Sequence, residues 1–139
     1  MKKTNSNATA GYSGTPLVKK LGIKPGARVL FVNDPPEFKP LLVELPAIKK
    51  GSPSDYVHLF VRSQADLKKH LAAAKKELEQ DGMIWVSWPK KASGIPTDVT
   101  EDTVRNAALP MGLVDVKVCA IDETWSGLKL VIRVANRKK

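Results

Sequence analysis

The chain has 139 residues, 42% of them apolar and 27% charged, a balance that excludes a disordered polymer and a length that fits one domain rather than two. Lysine and arginine number 23 against 14 acidic residues, a net charge of +9, and up to Lys76 the count is 14 basic to 5 acidic. One cysteine, Cys119, excludes an internal disulfide and a thiolate metal cluster, which fits a reducing cytoplasm, and no apolar run approaches the ~20 residues of a bilayer span.

Lys2 and Lys3 are followed by polar and small residues through Gly11, so no secretion signal is expected and residues 1–11 read as a disordered tail. A single α/β domain is expected over residues 12–135, with a basic tail at 136–139. Thr15 and Pro16 open a short helix carrying Leu17, Val18 and Leu21 on one face, with Gly22 as its stop. Pro25-Gly26 turns into a continuous apolar run over residues 27–32, read as a strand buried on both faces. Asp34-Pro35 predicts a second helix, because Phe38, Leu41, Leu42 and Leu45 fall at helical spacing before Pro46.

After an exposed loop, residues 56–61 form the second expected strand. Ser63 with Asp66 marks a helix N-terminus, Leu67, Leu71, Ala74 and Leu78 make its apolar stripe, and Gly82 follows its end. Residues 83–88 give the third strand, closed by Pro89. Thr100, with Glu101 and Asp102 in the first turn, starts a helix that Pro110 and Gly112 terminate. Two last strands, 114–121 and 128–134, are separated by six residues, too few for a crossover, so the last is expected to run antiparallel to the one before it, or to slot in beside it. The alternation of strands and helices before them is that of a mostly parallel α/β sheet.

The stretch Lys24-Pro25-Gly26-Ala27-Arg28-Val29-Leu30, the Asp81-Gly82-Met83-Ile84-Trp85-Val86 stretch and the Gly112-Leu113 entry to the hairpin together resemble the class I methyltransferase fold over residues 22–134. The resemblance implies a three-layer, Rossmann-like sheet shortened to about five strands in the order 1-2-3-5-4, passing from the family's first strand directly to its fourth. In that family a Gly-rich turn after the first strand approaches the cofactor, and an acidic residue ending the next strand binds its ribose. Here the first strand is followed by Asn33-Asp34-Pro35-Pro36-Glu37, where two prolines remove two N–H donors, and the ribose-binding strand is missing, so no cofactor is expected. The segments GYSGTPLVKKLGIKPG, WVSWPKKASGIPTDVTED and VKVCAIDETWSGLKLV are similar, more closely, to a family of small bacterial proteins known as a domain of unknown function, over residues 11–134.

In open parallel sheets, ligands bind outside the carboxyl ends of the strands. That rule selects Asn33 and Asp34, then Arg62 and Ser63, then Trp88, Lys90, Lys91 and Ser93, then Asp122, Glu123 and Trp125. Lys90, Lys91 and Ser93, walled by Trp88 or Trp125, have the chemistry to hold a carboxylate or phosphate; the competing reading is solvated loop lysines and tryptophans that cap the core. Asp122 and Glu123 beside Trp125 are candidates for a general acid and base, against the plainer reading as turn formers. His58 and His70 lie away from that edge and, with one distant cysteine, offer no metal-ligand spacing, so no metal is expected. Ser13 lacks a nucleophile elbow, and Cys119 reads as a small buried hydrophobe.

Lys68, Lys69, Lys75 and Lys76 flank an apolar helix stripe without interleaved aromatics, so a nucleic-acid partner is not favoured. The preferred expectation is a cytoplasmic, non-catalytic module for a small anionic ligand or a protein partner at the carboxyl edge. A degenerate transferase is the alternative and a nucleic-acid accessory protein the third; a membrane partner is not expected, and no motif bears on oligomeric state.

Overall fold

The computed structural model describes residues 16–137, so Thr15, the residue 1–11 tail and the last two residues of the basic tail lie outside the described residues. The elements run α1 (Leu17–Leu21), β1 (Val29–Val32), β2 (Ser54–Phe60), α2 (Gln64–Lys76), β3 (Leu78–Pro89), α3 (Glu101–Ala108), β4 (Leu113–Ala120) and β5 (Trp125–Ile132), with single 3-10 turns between some of them. The five strands make one sheet in the order β1-β2-β3-β5-β4. β1, β2 and β3 pair in parallel, and β5 runs antiparallel to both β3 and β4. This is the shortened, mostly parallel three-layer sheet with its terminal hairpin.

Alternation along the strands sorts the core onto two faces. On one face, Leu67, Leu71 and Ala74 of α2 and Val104 and Ala108 of α3 pack on Val57, Leu59, Ile84, Val86, Leu128 and Leu130. Ser63 caps α2 by accepting the Asp66 N–H, and a Thr100–Thr103 capping box starts α3, as the sequence signals predict. The other face takes α1 and the chain from residue 33 to 48, with Leu21, Phe38 and Leu42 closing over Tyr56, Phe60, Trp85 and Trp125. The Trp85 indole N–H donates to Leu21 O at 2.8 Å, which ties α1 to the middle of the sheet, and Gly22 ends that helix at φ +83°.

The structure corrects four local readings. The helix expected after Asp34 does not form; only a 3-10 turn at Lys39–Leu41 is present. Pro40 withdraws an N–H donor from the interior of the helix and its ring would clash with the preceding turn, and Glu44 turns to φ +61°. Phe38 and Leu42 are still buried, while Leu45 is 37% exposed, so the apolar spacing found the core but not the conformation. β1 is an edge strand rather than a strand buried on both faces, and Leu30 is 41% exposed.

α2 ends before Leu78, which belongs to β3 and pairs with Ser54, while Ser54 N–H donates to Glu77 O. Gly82 lies within that strand rather than after a helix; a side-chain carbon there would sit 2.8 Å from Leu78 Cδ1 and 3.1 Å from Asp55 O, so close approach and not helix termination calls for glycine. The hairpin turn is shorter than predicted, because the Asp122 carboxylate accepts the N–H groups of Thr124 and Trp125, both at 2.8 Å, and β5 therefore begins at Trp125.

Among the described residues no helix is long and apolar enough to cross a membrane, and no group of three or more His, Cys, Asp or Glu is placed to hold a metal ion.

Candidate functional site

The parallel strands deliver their carboxyl ends to one edge of the sheet, and a cleft of about 450 Å³ opens there. Its lining comes from the chain after β1 (Asn33, Pro35, Pro36 and Glu37), the end of β2 and start of α2 (Phe60, Arg62 and Asp66), the loop after β3 (Ile95) and the first residue of β5 (Trp125). Phe60 and Trp125 meet edge to face, with ring centroids 5.2 Å apart, and the Arg62 guanidinium lies 6.0 Å from the Trp125 ring centroid. Arg62 has no ion-pair partner among the described residues. Trp125 is 3% exposed, and its indole Nε1 is buried with no hydrogen-bond partner among the described residues. Buried donors of this kind are uncommon because an unmet hydrogen bond costs ~1–3 kcal/mol.

The position of Arg62 is set by two loops. Asp98 N–H and the Thr97 hydroxyl both donate to Arg62 O, and Gln64, the first residue of α2, donates through its N–H to the Asp98 carboxylate at 2.8 Å. These bonds hold the chain after β3 against the β2-to-α2 turn and bring Ile95 to the cleft. On the opposite wall Asn33 takes a left-handed conformation, φ +58°, and its side-chain amide lies 3.4 Å from Nε2 of His70 on α2.

The residues singled out in the sequence do not all meet. Asn33 and Trp125 line the cleft. Asp34 sits beside it, with its carboxylate 3.8 Å from Lys39 Nζ. Lys90, Lys91 and Ser93 belong to the same loop as Ile95 but do not line the cleft. The Lys90 ammonium donates to Asp122 O at 2.7 Å, the Ser93 hydroxyl donates to Lys90 O at 2.6 Å, and Lys91 is exposed. Asp122 closes the hairpin turn as described, and Glu123 is exposed beside it. Phe60 and Ile95 were not among the selected residues; Arg62 was, from its place directly after the second strand, but ranked below the Lys90–Lys91 pair.

A second polar feature lies under the cleft floor. Tyr56, His58 and Phe60 alternate onto one face of β2. His58, fully buried, accepts or donates through Nδ1 to the Tyr56 hydroxyl at 2.8 Å and through Nε2 to the Ser87 hydroxyl at 2.7 Å. Its ring stacks on Phe60 with centroids 4.5 Å apart. Burial pushes the His58 pKa down from 6.5 to about 3, and burial likewise raises the Tyr56 hydroxyl well above its usual value. The imidazole is therefore neutral, with both nitrogens committed, and it supports the floor without reaching the cleft.

This arrangement, a Rossmann-like sheet with a cleft outside the carboxyl ends of its strands, is the class I methyltransferase fold. The chain belongs to the family described as "Protein of unknown function (DUF3052)", whose pattern matches residues 44–134. Among solved structures it is similar to a SAM-dependent methyltransferase from Aquifex aeolicus, with 15% identity and a TM-score of 0.62 over 84% of this chain and 87% of that one. A putative type 11 methyltransferase from Sulfolobus solfataricus gives 14% and 0.63 over 88% and 93% of the two chains. The magnesium protoporphyrin IX methyltransferase from Synechocystis, solved with bound SAM, gives 12% and 0.54 over 83% and 74%. At these identities the likeness is one of fold. No curated protein matches the chain by sequence.

Proposed function

We propose that the chain is a non-catalytic binding module whose carboxyl-edge cleft takes a small ligand with an apolar, planar body and one carboxylate or phosphate. The observation that carries this reading is the Arg62 guanidinium, without an ion-pair partner among the described residues, held beside the Trp125 ring in a cleft that Phe60 and Ile95 also line and whose acidic lining residues are Glu37 and Asp66. Arginine pairs with carboxylates and phosphates through two parallel N–H donors, and Phe60, Trp125 and Ile95 supply the apolar contact. Lys90 and Lys91, in the loop that also carries Ile95, would add only to the field around the cleft without contacting the ligand.

The adenosylmethionine that the fold brings to mind does not fit these residues. Pro35 and Pro36 themselves line the cleft, at the turn where backbone donors would be needed. β1 is an edge strand, so among the described residues no strand lies beyond it to present a ribose-binding carboxylate. A binding role is also supported by the placement of the two groups with large pKa shifts, His58 and Tyr56, inside the core instead of the cleft.

The test is a thermal-shift panel of aromatic and aliphatic carboxylates, nucleotides and adenosylmethionine, followed by titration calorimetry on the hits. A ligand at 100 times its Kd adds about 2.7 kcal/mol of stability, readily seen as a raised Tm. An aromatic acid or phosphate is expected among the hits, and Arg62→Glu is expected to weaken it at least ten-fold. Hits whose affinities are all indifferent to Arg62→Glu would overturn the reading.

A further inference from the structure

The sheet has two outer strands, and they are treated differently. Beyond β1, the chain at residues 47–49 covers the start of the strand, with Val29 N–H donating to Lys49 O at 2.9 Å and Lys49 N–H donating to Ala27 O at 2.8 Å. Beyond β4 there is no such cover among the described residues: its eight residues pair with β5 alone. Val116 and Val118 on this strand are 56% and 51% exposed.

The register locates charge on the same strand. Lys117 lies directly across from Lys129 of β5, and its ammonium reaches Lys20 O, at the end of α1, at 3.1 Å. The Lys129 ammonium is destabilised by burial first and then by Lys117 and Lys24. None of Lys24, Lys117 and Lys129 has a carboxylate partner among the described residues. Asp115, two residues before Lys117, is engaged on the opposite face of the sheet, where its carboxylate accepts from Arg105 Nε at 3.1 Å. Like charges directly across a strand pair are unfavourable, and no carboxylate among the described residues offsets them.

Lys117 on the outer strand, together with the irregular register between Asp115 and Lys117, disfavours edge-to-edge pairing of two copies of the same chain. With Lys129 and Lys24 close by, it favours a strand of opposite charge. Lys117 points to the α1 side of the sheet, whereas Val118 is paired with Leu128, whose side chain belongs to the α2–α3 side. A strand laid beside Lys117–Ala120 would therefore present its side chains alternately to a lysine cluster and to exposed valine.

We infer that β4 is a docking edge for an extended acidic segment of a protein partner, one that alternates acidic and apolar residues and adds as a sixth strand beside Lys117–Ala120. Main-chain hydrogen bonds supply affinity and the lysine cluster supplies selection.

The experiment uses the full chain and an eight-residue blocked peptide of alternating Glu and Val. Controls are the Lys/Val peptide, the Glu/Val peptide with a central proline, and a single-stranded oligonucleotide. The expected result is slowed amide exchange in β4 on adding the Glu/Val peptide, no binding by the Lys/Val peptide, and at least ten-fold weaker binding by the proline peptide. Lys129→Glu, which turns the repulsive pair into an attractive one and so preserves folding, is expected to weaken the Glu/Val peptide at least five-fold. Arg62→Glu is expected to leave it unchanged, which separates this edge from the cleft. Outward-facing amides of β4, those not bonded to β5, already protected in the free protein, or binding by the oligonucleotide with none by the peptide, would overturn the inference.

Discussion

The two faces of the sheet are built by different means. On the α2–α3 face, two regular helices present Leu67, Leu71, Ala74, Val104 and Ala108 to an aliphatic layer. On the opposite face, a five-residue helix and an irregular, proline-broken crossover cover a layer of aromatic rings threaded by the Tyr56–His58–Ser87 hydrogen bonds. The first face is sealed by periodicity. The second is sealed by individual large side chains, and where its aromatic layer reaches the carboxyl edge, at Phe60 and Trp125, it opens as the cleft. Irregular backbone on one side of a Rossmann-like sheet is thus where this chain departs from a uniform scaffold, and where its candidate site lies.

The largest expected effects test whether the irregular face is as firmly packed as the helical one. Leu71→Ala, at a fully buried site on α2, is expected to cost about 2–5 kcal/mol, and Phe38→Ala, 1% exposed on the crossover, about 3–5 kcal/mol. Urea denaturation measures both. A Phe38→Ala cost below about 1 kcal/mol would mean that the crossover is a loose cover and that the two faces are unequal in strength as well as in form.

Next in size is the pH dependence of the polar thread. In the unfolded chain His58 takes up a proton near 6.5, and in the folded protein only at about 3, so between those values the unfolded state holds more protons. Stability is therefore lost as the pH falls from 6.5 towards 3, by up to the order of 5 kcal/mol from this group. His58→Gln, which offers hydrogen bonds but does not titrate, should remove that part of the slope. Denaturation curves at pH 7, 6, 5 and 4 read it directly, and a stability difference between the two proteins that stays constant across the series would show that the imidazole is not the titrating group.

The smallest effect sharpens the comparison by its absence. Leu45 completes the helical spacing with Phe38, Leu41 and Leu42 but is 37% exposed, so Leu45→Ala should change stability by less than about 1 kcal/mol. A loss above about 2 kcal/mol would restore the helix that the sequence spacing suggests.

What was legible in the sequence follows the same division. Elements held by a repeated local signal were readable: the Leu67/Leu71/Ala74 stripe behind its Ser63 cap, the Thr100 start of α3, and the antiparallel last strand behind a link too short for a crossover, whereas the strand order came from the resemblance to the methyltransferase fold. The crossover was not, because Phe38, Leu41, Leu42 and Leu45 carry a helical period that Pro40 and the left-handed Glu44 prevent the backbone from using. The extents of β3 and β5 were missed for a related reason. Leu78 fits the α2 stripe and the strand equally well, and the Asp122 side chain shortens the hairpin turn in a way that only its two bonds to Thr124 and Trp125 reveal.

For the site, the rule that strand ends converge was enough to find Asn33 and Trp125 but not to rank Arg62 above Lys90. The distinction needs three dimensions, since Lys90 spends its ammonium on Asp122 O while the Arg62 guanidinium lies against an aromatic ring. The Tyr56–His58–Ser87 thread depends on the pairing of β2 with β3, so only half of it, the alternation of Tyr56, His58 and Phe60, could be seen in the sequence.

The most direct test of the cleft uses the tryptophan indole N–H resonances. The Trp85 indole donates to Leu21 O inside the core, whereas the Trp125 indole has no partner among the described residues and belongs to a ring that lines the cleft. Titrating the best anionic ligand into nitrogen-15-labelled protein should move the Trp125 indole signal and leave that of Trp85 in place, and Arg62→Glu should abolish the movement at the same ligand concentration. A bound ligand that leaves the Trp125 signal unmoved would contradict the assignment of this cleft as the binding site.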